Sequence, residues 1–526
     1  MLSTLFLLTF CLTSLLRGQT EEQGEILLRE ARTMQESART REDFESAAQK
    51  FREALSAFEI VRNERGIGEA NLQLGRLYLN HLRMFQLAGT CFEKSLDAFA
   101  KTGDMKGRAA ALNGLGVVCW HMSRYDKAIE YYEEALHLFK ALGDPAGEAG
   151  AVGNLAMIHE LRGQHERAAE YYGKSLEIFR RVGDRAGESR MLINLGAAYK
   201  NLGRYAKAVQ CYERSLEIKR ELGDRRGEGN TLLGLAIVFG NWIDHAKSAE
   251  YAEKALDLFR EIHDQSGEAT ALISLGMTYR DWGRYSTATK YLETALTMTG
   301  QIGDRRNESV ALAALGKTQA HLGELSDALV SYQESLALCK EIGLPTDFSL
   351  NRIADLYLSM GQIDKAEPFV MEAGYTATLA RFYLLKGQYE MAKGYYEKLI
   401  VSRHTGKERS EDNRYAGYTG LGMAYEGMGD FSAAAEYYRK AVRHTEELRS
   451  TVPQAQRHSF FQVRIEGFFR TAPYEGLSRV LLRLNRPLEA FKGSEYTKAR
   501  VFAEAMSRSS DSVAFDIPPD ILKSDR

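Results

Sequence analysis

Apolar positions recur along this chain every 40 residues, and small residues keep step with them. Leu115-Gly116, Leu155-Ala156, Leu195-Gly196, Leu235-Ala236, Leu275-Gly276 and Leu315-Gly316 form one lattice. Ala128, Ala168, Ala208, Ser248, Ala288 and Ala328 form a second, and Ala135, Ser175, Ser215, Ala255, Ala295 and Ser335 a third. A polar lattice punctuates them: Gly103-Asp104, Gly143-Asp144, Gly183-Asp184, Gly223-Asp224 and Gly303-Asp304, with His263-Asp264 in the remaining slot. Self-similarity at a fixed period marks a repeat array, in which a chain lengthens without founding a new core.

Each period predicts two helices. In the unit from Gly187, Leu192, Leu195 and Tyr199 are spaced by three and four, so they share one face of a helix A. Gly203 ends that helix, because glycine accepts the left-handed cap conformation at little cost. Tyr205 opens helix B, which carries Ala208, Val209, Tyr212, Ser215, Leu216 and Ile218. Gly223 closes it, and Asp224 is placed to cap the next helix. Gly196 and Ala208 are expected where the two helices cross, and Ser215 where helix B meets the following helix A. One hairpin cannot bury both its faces, so neighbours must stack.

The flanks are less regular. Residues 25–100 read as degenerate hairpins, with Leu74-Gly75 and Tyr78 in a helix A and a distorted turn expected near His81 to Phe85. The regular array is set at 101–343. Leu344-Pro345-Thr346-Asp347 stops and restarts a helix, and 344–401 reads as shorter hairpins, the second with a short helix A. Residues 402–413 are polar throughout and predict an exposed loop. Residues 414–506 return to hairpins, with Leu421-Gly422, Tyr425, Ala434 and Tyr438, then helices over 459–469 and 474–484. Residues 507–526 read as a polar tail or linker.

The first segment stands apart. Met1 to Leu16 is almost wholly apolar but shorter than the ~20 residues of a membrane-spanning helix. It fits an export signal or hydrophobic anchor over 1–19, which predicts a periplasmic, secreted or membrane-anchored protein. As an extra core helix or a misplaced start, it predicts a cytoplasmic one.

Composition narrows the function classes. The 526 residues include 69 basic and 71 acidic side chains, a net charge of -2. No single-sign field is present to attract nucleic acid or anionic lipid. Apolar residues at 44% suit a folded chain rather than a disordered one. The five cysteines (Cys11, Cys91, Cys119, Cys211 and Cys339) form no paired spacing, and four fall inside helical patterns as small apolar residues. Gly316-Lys317-Thr318 resembles the end of a phosphate loop, but Ala311 occupies the slot of the first glycine and the segment is mid-helix by periodicity. His159-Glu160 and His165 miss metalloprotease spacing, with Gly163 between. Cys119 and His121 lie two apart on a helix and do not face each other. No catalytic residue, metal site or cofactor is expected, and the chain reads as a non-enzyme.

The Leu-Gly pair, the aromatic residue three later and the small residues twelve and nineteen after the glycine resemble the tetratricopeptide repeat. The 40-residue period exceeds that family's usual 34 and is similar to its long-helix subclass. The resemblance implies an all-α, right-handed α-solenoid of antiparallel hairpins, in which helix A lines a concave groove that binds peptide segments. On this register the inward positions outside the core are Asn113, Trp120, Asn154, Arg190, Asn194, Lys200, Asn201, Asn230, Arg280 and Lys317. Asparagine amides pair with both donors and acceptors of a peptide backbone, and arginine grips a carboxylate through two bonds. The expected partner is therefore a polar or acidic peptide, met mainly between Asn154 and Lys317. Uncapped solenoid ends add an expectation of self-association.

Near the C-terminus, Ala490-Phe491 and Glu495-x-x-Lys498-Ala499-Arg500 resemble the region preceding the caspase-like domain of TPR-CHAT proteins. No cysteine follows Cys339, so that family's nucleophile has no position here. This resemblance implies a second role, the sensor arm of a protease whose catalytic domain this chain lacks. An exported structural adaptor in an envelope complex is a third.

Overall fold

A computed structural model describes residues 2–401, 410–451, 464–465 and 468–491. Among the described residues the fold is all-α apart from one pair of two-residue strands, and the chain divides into two compact units, 1–267 and 268–526. Each unit is an α-solenoid of antiparallel helical hairpins.

Unit 1 opens with α1 (Leu2–Ser37), α2 (Arg41–Val61), α3 (Glu64–Leu77) and α4 (Phe85–Thr102). Four regular hairpins follow: α5 (Met105–His121) with α6 (Tyr125–Leu142), α7 (Pro145–Leu161) with α8 (His165–Val182), α9 (Arg185–Asn201) with α10 (Tyr205–Glu221), and α11 (Arg225–Asn241) with α12 (His245–Glu261). Helix α1 runs through residue 19 without a break, so the apolar segment and the first hairpin share one helix. Among the described residues, no helix is long and apolar enough to cross a membrane.

The 40-residue lattices have local causes. Asp104, Asp144, Asp184 and Asp224 each accept a hydrogen bond from the backbone N–H three residues on, at 2.8–3.0 Å. Each donor belongs to a glycine, and at three of them an aromatic ring fills the place of a Cβ. A Cβ on Gly107, Gly147 or Gly187 would lie 2.5, 2.2 or 2.4 Å from the ring of Phe99, Phe139 or Phe179. Gly196 likewise gives room to Tyr212. The small hydroxyl residues staple each second helix back to its own partner. Ser95 donates to Gly68 O at 2.8 Å and Ser175 to Ala149 O at 2.7 Å, while Ser215 meets Ser189 Oγ at 2.8 Å. Ser215 therefore bonds within its own hairpin, not to the following helix A, because its hydroxyl meets Ser189 in the N-terminal half of α9.

Glu188 and Glu228 are buried and each is gripped by two arginines. Arg180 and Arg185 hold the first at 2.9 and 2.6 Å; Arg220 and Arg225 hold the second at 2.7 and 2.9 Å. Arg185 and Arg225 also reach Glu221 and Glu261 at the end of helix B of their own hairpin, while Arg180 and Arg220 come from the preceding helix B, so the ion pairs tie each hairpin together and link it to the one before. The distorted turn expected near residue 81 is a five-residue π-helix, Tyr78–Leu82, closed by Arg83 at φ 55°.

Helix α13 (Gln265–Asp281) carries the boundary between the units. Unit 2 continues with α14 (Tyr285–Ile302), α15 (Arg305–Leu322) and α16 (Leu325–Glu341). The short hairpins are α17 (Asp347–Ser359) with α18 (Ile363–Ala373) and α19 (Thr376–Leu385) with α20 (Tyr389–Val401). Next come α21 (Ser410–Met428), α22 (Phe431–Thr451), β1 (Arg464–Ile465), β2 (Phe468–Phe469) and α23 (Ala472–Arg483). Two expectations change here. The loop set at 402–413 gives way to helix from Ser410, where Asn413 is buried; residues 402–409 lie outside the described residues. The helix expected over 459–469 is instead, where described, an antiparallel pair joining Ile465 to Phe468. Arg479 on α23 reaches back to Glu426 on α21 through two bonds of 2.6 and 3.0 Å. The Glu495–Arg500 match lies outside the described residues.

Candidate partner-binding face

In unit 1 the first helix of each hairpin turns one face away from its helix B. Asn113, Trp120, Asn154, Asn194 and Lys200 are half-buried on that face, while Arg190, Asn201 and Asn230 are exposed. Several are already engaged with one another. Asn154 Nδ2 donates to Asn113 Oδ1 at 3.0 Å, bridging α7 and α5. Asn201 Nδ2 donates to Glu160 Oε1 at 2.5 Å, bridging α9 and α7. Glu160 Oε1 also lies 3.1 Å from His165 Nδ1. Desolvation lowers the Lys200 pKa, and the nearby Glu160 carboxylate opposes that shift. The Arg190 guanidinium sits 5.7 Å from the centre of the Phe179 ring, and Trp120 packs against His121 at 4.2 Å.

In unit 2 the two remaining residues differ. Lys317 is half-buried on α15. Arg280 is only 5% exposed, and its Nη2 pairs with Asp281 at 2.8 Å. Its helical position suits a groove, but its packing withdraws it from solvent.

The face is less polar than the residue types first picked from it. Met157 is half-buried, and Leu161 and Ile237 are exposed. Val117, Met157, Ala197 and Ile237 each follow the small residue of the first lattice, so this apolar row was written in the sequence at the same 40-residue spacing.

A cavity of about 340 Å³ opens at the N-terminal end of the face. Arg76, Asn80, Lys106, Asn113 and Asp144 give it polar groups, and Leu79, Phe92, Val117 and Phe139 give it apolar walls. Arg76, Asn80 and Lys106 were not among the residues picked by register. Arg76 follows Leu74-Gly75 as Lys317 follows Leu315-Gly316, which is the signal that marks it.

The other chemical candidates take structural places. Lys317 and Thr318 lie within α15, where Thr318 donates to Ala314 O at 2.9 Å. His159 Nδ1 lies 2.7 Å from Gln164 Oε1. Among the described residues, no three His, Cys, Asp or Glu side chains gather as a metal site would require. Cys91, Cys119, Cys211 and Cys339 are free thiols. Burial raises the Cys119 pKa and pushes Cys91 and Cys211 up to about 11, which keeps them protonated and poorly nucleophilic.

Tetratricopeptide repeat family models match residues 66–141, 148–221, 187–261 and 229–301, and again 349–373 and 415–443, together more than half of the chain. No curated protein matches it. Solved structures similar to it include a Rap protein complexed with competence and sporulation factor, at 14% identity and TM-score 0.42, covering 66% of this chain and 99% of that one. A signal transduction ATPase with a tetratricopeptide repeat sensor, from Pyrococcus horikoshii, aligns at 18% identity and TM-score 0.44, covering 71% and 55%. The Cut9–Hcn1 assembly of the APC/C aligns at 15% and 0.41, covering 93% and 97%.

Proposed function

The chain belongs to the tetratricopeptide repeat family, and we propose that it is a protein-interaction scaffold holding polypeptide segments of partner proteins on the A-helix face of unit 1. The observation that carries this reading is the mixture on that face. Half-buried amides at Asn113, Asn154 and Asn194 and exposed Asn201 and Asn230 alternate with apolar Met157, Leu161 and Ile237. Amides offer paired donors and acceptors to an extended backbone, and apolar side chains between them take alternate side chains of the guest. The favoured partner segment is thus amphipathic, with polar or acidic groups for Arg190 and Lys200. The reading assigns the chain no catalytic step.

The test is capture by the full chain. Immobilised wild type and an Arg190→Glu plus Asn194→Ala double variant are exposed to lysate of the source cells, and the retained proteins are quantified by mass spectrometry. The reading predicts at least a tenfold loss of specific capture, with circular dichroism unchanged. Equal capture by both would remove it.

A further inference from the structure

We infer that the apolar start of α1 is a membrane anchor that does not span: residues 2–16 insert into one leaflet of a lipid bilayer, and the first turns of unit 1 rest on its surface. This is independent of what the A-helix face binds.

Helix α1 is longer than the partner it packs against. It runs unbroken for 36 residues, while antiparallel α2 has 21. Returning from the turn at 38–40, α2 can face α1 back to about Arg17. Contacts at that end mark the level. Asn63, in the turn after α2, donates to Glu21 Oε1 at 2.7 Å, and a Cβ on Gly24 would lie 2.8 Å from the Phe58 ring. The end of α4 is level with them, since Lys101 Nζ lies 3.6 Å from the Glu64 carboxylate at the start of α3. Residues 2–16 therefore extend past the end of the first hairpin. They also stay joined to it: α1 is helical through residues 17–20, whereas a cleaved export signal needs an accessible processing site after its apolar run.

The residue types say what surrounds that projection. Of residues 2–16, ten are apolar, five are Ser or Thr and none is charged. Positions 3, 4, 9, 13 and 14, which hold the hydroxyls, fall at scattered angles on a helix, so no polar stripe is reserved for water. A helix apolar all round must be covered all round. A second copy of the chain pairs along a seam and leaves the other sides wet. A bilayer covers every side. Length sets the depth: the segment is about 22 Å long, short of the ~30 Å hydrocarbon core, so it enters without crossing. The edge of unit 1 at the base of the projection agrees. Ile60 is 73% exposed there, and Met105 and Leu142, beside the two following turns between hairpins, are 39% exposed. Arg62 and Arg65 are exposed next to Ile60. Aliphatic side chains interleaved with arginines suit a headgroup layer, where the guanidinium groups meet lipid phosphates.

The full chain is synthesised cell-free with phosphatidylcholine vesicles and floated through a sucrose gradient, beside a Leu8→Arg plus Leu12→Arg variant. Wild type should rise with the vesicles. The double variant should do so at least tenfold less, because charge opposes insertion. Its circular dichroism should keep the helical signature, since residues 2–16 lie beyond the packed hairpins. Ile60→Asp should lower flotation by a smaller factor, about threefold, through the surface contact alone; no change would remove that contact from the proposal. N-terminal sequencing of the chain from the membrane fraction of the source cells should find residues 2–16 in place. Wild type that stays at the bottom of the gradient, as monomer or as an oligomer by light scattering, overturns the anchor. Equal flotation by the double variant, or a mature chain that starts after residue 16, overturns it too.

Discussion

The regular hairpins of unit 1 and the short hairpins of unit 2 reach one supersecondary form by different means. Helices α5 to α12 are 17 or 18 residues long, and each first helix starts from an aspartate cap. Helices α17 to α20 are 10 to 13 residues long, and neither α17 nor α19 has a side-chain cap. In place of caps, the two first helices are tied across by polar side chains. Tyr375 donates to Asp347 at 3.0 Å and Thr378 to Asn351 at 2.5 Å, while Arg381 binds Asp355 and, at 3.2 Å, Ser359. Long helices bury enough apolar face that local caps and ring-on-glycine contacts set their register. Short helices bury less, so directional bonds between neighbours supply the register instead.

Three changes break this contrast in order of size. Gly147→Ala puts a Cβ 2.2 Å from the Phe139 ring, whereas Gly394 in α20 has open space around it. The first should cost about 2–3 kcal/mol through overpacking, and Gly394→Ala should gain about 0.5–1 kcal/mol from helix propensity. Urea denaturation of both reads the difference; equal signs would show that ring contact does not govern the regular block. Glu188→Gln comes next, at about 1–2 kcal/mol, because its arginines keep partial access to water. Burial alone would raise the Glu188 pKa, but the bonds from Arg180 and Arg185 outweigh it and hold it below the usual range. Its contribution is therefore complete at neutral pH and fades as pH falls through the depressed folded value. The Tm gap between wild type and Glu188→Gln should accordingly close in acid; a gap independent of pH would contradict the assignment. Asp184→Ala should cost about 1 kcal/mol as a lost cap, and Thr346→Ala almost nothing.

How much of this the sequence made legible follows from the same contrast. Where local chemistry sets the structure, it was readable: Asp184 capping, Gly183 in the left-handed region and the small residue under Tyr212 all followed from spacing. Where tertiary neighbours decide, it was not. Periodicity gave Arg280 a groove position but no depth, and only its surroundings bury it. Asn413 sat in a polar run that reads as loop, yet packing against its neighbours makes it a buried helical residue. The cavity was missed because Arg76 belongs to a hairpin whose π-helix shifts the register, and because Arg76, Lys106 and Asp144 come from three separate hairpins. The apolar row through Met157 and Ile237 keeps the 40-residue spacing and was legible in the sequence.

The smallest effect concerns a slot where the regular block departs from its own rule. The turn between the two helices of a hairpin has Gly163 and Gly203 at φ 70°, but Ser123 holds φ 58° and the β-branched Ile243 φ 65° in the equivalent place. A β-branched residue there meets the clash between Cβ and the carbonyl, a cost of about 1–2 kcal/mol. The Ile243 side chain is 56% exposed, so removing it forfeits little burial. Glycine in exchange gives the unfolded chain about 0.5–1 kcal/mol more conformational freedom. Ile243→Gly should therefore stabilise by a net of about 0.5–1 kcal/mol, and Gly203→Ile should destabilise by a similar amount. A higher urea midpoint for the first and a lower one for the second would place the regular block's turns under backbone control. A loss of stability on Ile243→Gly would instead mean that side chain packs beside Trp242, which stacks on Phe239 and Tyr205, and that this one turn follows the packing-driven logic of the short hairpins.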